Sequence, residues 1–151
     1  MRLERAMTAR PLSLALFAAG TLACSDGGGA ARAEVLASTR GDPRRGEAAI
    51  AGYGCGSCHV IPGVNRARGM VGPPLTDFAR RTYIAGHVFN TPNNLAAWIR
   101  RPDSVEPGTV MPTLGVTEQE ARDIAAYLLL ETATGRFGPP RLLSPSLLHG
   151  D

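Results

Sequence analysis

Five consecutive residues constrain this 151-residue chain more than any others: Cys55-Gly56-Ser57-Cys58-His59. C-x-x-C-H is the attachment signature of c-type haem. Two thiols three positions apart can add across the two vinyl groups of one ring, and the residue that follows sets an imidazole beneath the iron. A chain committed in this way folds around a rigid apolar disc. Three plainer readings compete. A thioredoxin-like dithiol needs a βαβ context, and no β-rich run surrounds this motif. A zinc site needs further ligands at regular spacing, and only the isolated His87 and His149 remain. A structural disulfide closing so short a loop would add little stability.

With His59 as the proximal ligand, the second axial position has four candidates: Met70, Met111, His87 or none. Met111 lies in Pro107-Gly108-Thr109-Val110-Met111-Pro112, a turn-rich loop 52 residues after His59 and just before a predicted helix. Such a loop can hold a thioether against a metal without a helix's directional constraint. Met70 follows His59 by only 11 residues and would have to swing around the ring edge. The reading therefore assigns Met111.

The first 23 residues read as a removable export signal. Arg2, Arg5 and Arg10 precede an uncharged, mostly apolar stretch from Pro11 to Ala23, too short to span a bilayer. Gly20-Thr21-Leu22-Ala23-Cys24 resembles the lipobox of bacterial lipoproteins, with Thr21 in place of the usual leucine. Ordinary cleavage near Ala23, or around Ala31 or Ala33, is the alternative. Lipidation of Cys24 would also account for the odd cysteine in an exported chain. Residues 24–40 then read as a flexible Gly-rich linker. All 16 basic residues are arginine; removing residues 1–23 leaves thirteen arginines against twelve acids, a net charge of +1. Bulk-charge binding to nucleic acid is therefore not expected.

Helix signals follow. Asp42-Pro43 caps a helix to about residue 52. A short turn over 75–80 follows the Gly72-Pro73-Pro74 bend, and Thr91-Pro92 opens a helix to about residue 100, stopped by Pro102. Thr117-x-x-Glu120 is a capping box opening a helix to about residue 132, with Ala121, Ile124, Ala125 and Leu128 as its buried stripe and Gly135 at its end. No strand run of any length is seen, so the domain is expected to be all-α, with about four short helices over 41–135 and a Pro-rich tail over 136–151. A core this modest gains its missing interior from the haem.

From Gly41 to about Ala133 the chain resembles a class I cytochrome c. The residues that carry the resemblance are Gly41-Asp42, Gly46, the Cys55–His59 motif, Gly72-Pro73-Pro74-Leu75, Pro102, Pro107-Gly108-Thr109-x-Met111 and Ala126-Tyr127-Leu128. The resemblance implies that the Pro73 carbonyl fixes the His59 tautomer and that Gly46 lets the last helix cross the first near Tyr127. It implies that Trp98 lies beside the methionine sulfur, that Arg81 pairs with a haem propionate, and that Thr109 donates to one. Arg80 is the rival for the propionate, and plain core packing the alternative for Trp98. The chain departs from the family in one extra residue between Gly46 and Cys55, which would bend or loosen the first helix, and in lacking the usual lysine ring at the haem edge. The stretches 83–99 and 111–116 are similar to the haem c domains associated with subunit II of bacterial haem–copper oxidases.

The expected function is one-electron transfer on the cell-envelope side of a membrane, with a terminal oxidase, a quinol-oxidising complex or a dehydrogenase as partner. A fixed electron-accepting subunit of a periplasmic dehydrogenase or oxidase complex is the alternative. A peroxidase would need open iron and usually a second haem, and a ligand sensor a weak Met111 bond.

Overall fold

The computed structural model describes residues 27–133. Five α-helices make the frame: α1 Gly27–Thr39, α2 Pro43–Gly52, α3 Pro92–Arg100, α4 Pro102–Val105 and α5 Glu118–Ala133. Short 3-10 turns occupy Cys55–Ser57 and Phe78–Arg80. The architecture is all-α, with one small addition: strands β1 Tyr83–Ile84 and β2 Val88–Phe89 pair antiparallel, Tyr83 against Phe89 and Ile84 against Val88. Two-residue strands show no periodicity in the sequence. Ala85 and Gly86, the central pair of the turn closed by the His87 amide on the Ile84 carbonyl at 3.0 Å, both take positive φ, 51° and 80°, as a type I′ turn demands.

The helix starts follow from their caps. The Asp42 carboxylate accepts the Arg44 amide hydrogen bond at 2.8 Å, and the Thr91 hydroxyl accepts that of Asn94 at 3.2 Å, each with proline at the first helical position. At α5 the Thr117 amide donates to the Glu120 carboxylate at 3.0 Å, and the Glu120 amide donates back to the Thr117 hydroxyl at 3.3 Å. These are the two halves of a capping box. The extra residue before the motif does not distort α2. The helix stops at Gly52, and the chain turns through Tyr53 and a left-handed Gly54 into the 3-10 turn at Cys55.

Helices α2 and α5 cross with backbone against backbone at Gly46. A Cβ there would lie 2.1 Å from the Asp123 carbonyl oxygen, so no larger residue fits the crossing. The contact falls one turn before Tyr127. Tyr127 instead donates its hydroxyl to the Pro62 carbonyl at 2.7 Å, and burial pushes its pKa above the ordinary tyrosine value. Beside the crossing, the buried Asp123 carboxylate accepts from the Asp42 amide at 2.8 Å, Arg45 Nε at 2.8 Å, Arg45 Nη2 at 3.0 Å and Gln119 Nε2 at 2.9 Å. Burial alone would raise its pKa. The Arg45 and Asp42 hydrogen bonds outweigh burial and hold it below the usual carboxylate range.

One expectation needs correction. The sequence predicts a flexible linker over residues 24–40, but from Gly27 to Thr39 the chain is helix α1. Ala30-Ala31-Arg32-Ala33-Glu34-Val35-Leu36-Ala37 is a run of mostly strong helix formers, and it outweighs the three glycines before it. Val35 packs against the core, Thr39 is buried, and α1 lies on α5 and α3. Helix α5 is buried on more than its expected stripe: Ala126, Leu129 and Leu130 are also buried. The proposed signal at 1–23, Cys24, Gly135 and the tail at 136–151 lie outside the described residues.

Candidate functional site

The C-x-x-C-H segment is pinned from both sides. The Gly54 carbonyl accepts from the Ser57 amide at 3.0 Å, and the Cys55 carbonyl from those of Cys58 at 3.2 Å and His59 at 3.0 Å. A strap from Gly69 to Leu75 then runs alongside, with Gly69 N–H to Gly56 O at 3.0 Å, Gly72 N–H to Cys58 O at 2.8 Å and Leu75 N–H to Val60 O at 2.8 Å. The strap touches the imidazole directly. A Cβ on Gly72 would lie 2.3 Å from His59 Cε1, so the ring occupies the space that any other side chain would need.

The next residue fixes the ring's protonation. His59 Nδ1 lies 2.8 Å from the Pro73 carbonyl oxygen. A carbonyl can only accept, so Nδ1 carries the hydrogen and Nε2 keeps its lone pair for a metal. Cys55 and Cys58 are unbridged and half-buried. Burial raises the Cys55 thiol pKa, opposite to the depressed value of a redox dithiol. Among the described residues, no group of three or more His, Cys, Asp or Glu side chains is arranged to hold a metal ion.

Both thiols and His59 open into a cleft of about 280 Å3, walled mainly by apolar side chains that include Ile50, Ile61, Leu95, Ile99, Ile124 and Leu128. Met111, Thr109, Trp98, Pro73 and Arg81 line the same cleft, so the fold gathers all eight residues named from the sequence as cofactor-binding. Met70 is not among its walls and is 91% exposed. His87 also stands outside, with Nε2 3.4 Å from Glu106 Oε1.

The Met111 loop is built by a turn. The Thr109 amide donates to the Glu106 carbonyl at 3.1 Å across Pro107 and Gly108, and Gly108 has φ +87°. Proline then glycine at the two centres is the type II pattern, which only glycine accommodates without strain. The Thr109 hydroxyl accepts the Met111 amide at 3.3 Å, leaving its own hydrogen to donate. Arg81 donates to the Pro74 carbonyl and lays its guanidinium over the Phe78 ring, 5.1 Å from the centroid.

Three contributors escape sequence reasoning. Asn90 donates to the Phe78 carbonyl at 3.0 Å and the Arg81 carbonyl at 3.1 Å, tying the hairpin to the turn that carries Arg81. Gly69 and Glu106 are the others. Glycine spacing could have flagged Gly69; nothing local marks Asn90 as the tie between hairpin and turn, or Glu106 as part of the cleft wall.

The fit to a c-type haem is direct. Two adjacent thiols, one imidazole tied through Nδ1 to a carbonyl, and an apolar cleft that a thioether also lines suit that group. Curated relatives agree. The chain is 36% identical over 97 residues to cytochrome c oxidase subunit 2 of Alkalihalophilus pseudofirmus, covering 64% of this chain and 28% of the relative. It is 36% identical over 90 residues to that of Bacillus sp. (strain PS3), covering 57% of this chain and 25% of the relative. To that of Bacillus subtilis it is 34% identical over 84 residues, covering 52% and 24%. The chain therefore spans about a quarter of the length of these relatives. No solved structure matches it. Residues 44–130, more than half of the sequence, match the family described as Cytochrome c, and with that match the chain belongs to the cytochrome c family of electron carriers, with covalently bound haem c as its cofactor.

Proposed function

We propose that this chain passes single electrons through a haem c held by Cys55 and Cys58 and ligated by His59 and Met111, in a respiratory chain that delivers them to a terminal oxidase. The observation that carries the ligand assignment is the cleft itself: it brings His59 and Met111 together from separate segments and leaves Met70 outside. The bound group supplies a one-electron iron couple, whose potential methionine ligation raises. The chain's own residues do the rest. Pro73 holds the imidazole in one tautomer, the Pro107–Thr109 turn presents the thioether, and the apolar wall keeps water away. Arg81 and Thr109 are assigned to the haem propionates, and Trp98 to the methionine side of the ring.

Val71 and Val110 line the cleft and are 76% and 89% exposed, so the cleft mouth is apolar where a lysine ring would make it charged. A weak, transient contact through such an edge suits a redox partner. The relatives' printed name, cytochrome c oxidase subunit 2, supports the oxidase as that partner. It also supports a second reading, in which the chain is itself a subunit of an oxidoreductase complex. Lipidation of Cys24, holding the domain at the outer side of the membrane, belongs to the same proposal. No helix among the described residues is long and apolar enough to cross a membrane.

The test is Met111→Ala. The wild-type ferrous protein is expected to resist carbon monoxide, and its ferric form to show the weak far-red sulfur-to-iron band. The variant should lose the band and bind carbon monoxide at once. If Met70→Ala produces this change and Met111→Ala does not, the ligand assignment is wrong.

A further inference from the structure

Glu106 is the one acidic side chain among the residues lining the cleft. Its backbone is fixed at both ends: the amide donates to the Pro102 carbonyl at 2.9 Å, and the carbonyl accepts from Thr109 at 3.1 Å. The carboxylate is therefore mounted on the same turn that presents Met111. Across from it, the hairpin carries His87, whose own amide donates to the Ile84 carbonyl at 3.0 Å. His87 Nε2 lies 3.4 Å from Glu106 Oε1, with the two side chains 57% and 35% exposed. The other charged or titratable groups on the surrounding segments are Arg80, Arg81, Tyr83, Arg100, Arg101 and Asp103, with Arg100 3.6 Å from Glu118. Arg81 and Tyr83 line the cleft as well. Arg81 donates through one nitrogen to the Pro74 carbonyl, and Asp103 accepts from the Thr113 hydroxyl at 3.0 Å.

We propose that Glu106 sets the electron affinity of the site and that the imidazole of His87, by gaining or losing a proton beside it, makes that affinity depend on pH. The proposal rests on the haem c reading above. Oxidation of the site adds one positive charge inside an apolar cleft. A carboxylate on the wall favours the oxidised state, and it does so more strongly there than it would in water. A protonated His87 cancels part of that field. The linkage fixes the sign. Reduction removes positive charge near the pair and so raises the proton affinity of His87. The reduced protein therefore binds the proton more tightly, and the potential falls as pH rises through the histidine range. Glu106 and His87 are positioning residues in this scheme: they touch neither the reacting electron nor its partner, and they tune the driving force.

The experiment is a spectroelectrochemical titration of the full-length haem-loaded protein at about pH 5 and about pH 8, which bracket the histidine range. At one fixed electrode potential, the ferrous-to-ferric ratio of the wild type should fall several-fold between the two, where a tenfold change corresponds to about 59 mV for one electron. His87→Gln should flatten the response. Glu106→Gln should raise the ferrous fraction at both pH values and shrink the difference between them. A wild type that does not respond overturns the proposal. So does a His87→Gln variant that keeps the whole response, which would place the titrating group elsewhere, a haem carboxylate included. A measurement on the wild type alone guards against misfolded variants: reduction in weakly buffered solution at about pH 6.5 should take up a measurable fraction of a proton, and no uptake overturns the idea. Carbon monoxide binding by the same wild-type sample would signal failure of the Met111 ligation. A flat response in a sample that resists carbon monoxide rejects the Glu106–His87 assignment alone.

Discussion

Alanine at position 46 sets two effects against each other. In the middle of a helix, Gly→Ala ordinarily stabilises by about 0.5–1 kcal/mol, because glycine loses more backbone freedom on folding. At Gly46 the new Cβ would lie 2.1 Å from the Asp123 carbonyl oxygen and 2.6 Å from its carbon, where ordinary contact begins at 3.4 Å. Helices α2 and α5 would have to part by about 1.3 Å, and since both partners are backbone, no side chain can rotate aside. Overpacking of this kind costs about 1–3 kcal/mol. A gap approaching 1 Å also forfeits roughly a quarter to a half of each dispersion contact along the seam. The clash wins, and a net loss of about 2 kcal/mol is expected, which lowers Tm by about 8–16 °C in a domain of this size. Gly52→Ala is the control: it sits in the same helix with nothing within 4 Å of its Cβ, and it should be neutral or slightly stabilising. Urea melts of the haem-loaded protein, followed by far-UV circular dichroism, measure both. If the two variants shift together, the close crossing does not limit stability and the argument from its geometry fails.

Two further outcomes follow from the hydrogen-bonded frame. Asp123→Asn should cost about 2 kcal/mol at neutral pH through weakened charged hydrogen bonds. Because Asp123 titrates below its unfolded value, its contribution is present above about pH 4 and is lost as pH falls through the folded value, so wild type and variant should converge in acid melts. An equal gap at pH 7 and in strong acid would refute this linkage. Gly72→Ala should displace the His59 ring and break its hydrogen bond to Pro73, reducing the yield of haem-loaded protein with the wild-type spectrum. Retention of the wild-type absorption spectrum would show that the strap yields instead.

Helices α2, α3 and α5 were legible because their signals are local: Asp42-Pro43, Thr91-Pro92 and the Thr117/Glu120 box each act within one turn of the chain. The cofactor motif was legible for the same reason. What the sequence hides is long-range. The partners of Asp123 at positions 42 and 45 lie 81 and 78 residues away, so a carboxylate inside α5 reads as solvent-facing until the fold is seen. Glu106 reads as an ordinary residue before a Pro-Gly turn, and only the fold places it on the cleft wall. The linker expected over 24–40 differs for another reason: Gly27-Gly28-Gly29 is a coil signal at the head of a segment whose remaining residues favour helix. The hairpin lies between these cases. Ala85-Gly86-His87 between two apolar pairs is a turn signal, too short to stand out by periodicity.

Helix α1 changes what any attachment upstream of it can do. A coil of 17 residues from Cys24 to Gly41 would let the domain wander over roughly 20–25 Å in every direction. With 13 of those positions in a helix, the span becomes a post about 20 Å long, fixed to the domain where α1 lies on α5 and α3. A lipid on Cys24 would be joined to that post by only the few residues before Gly27. The domain would then turn with that post as one body. The mouth of the cleft would keep a narrow range of headings, and the choice of acceptor would be set by geometry of attachment as much as by affinity.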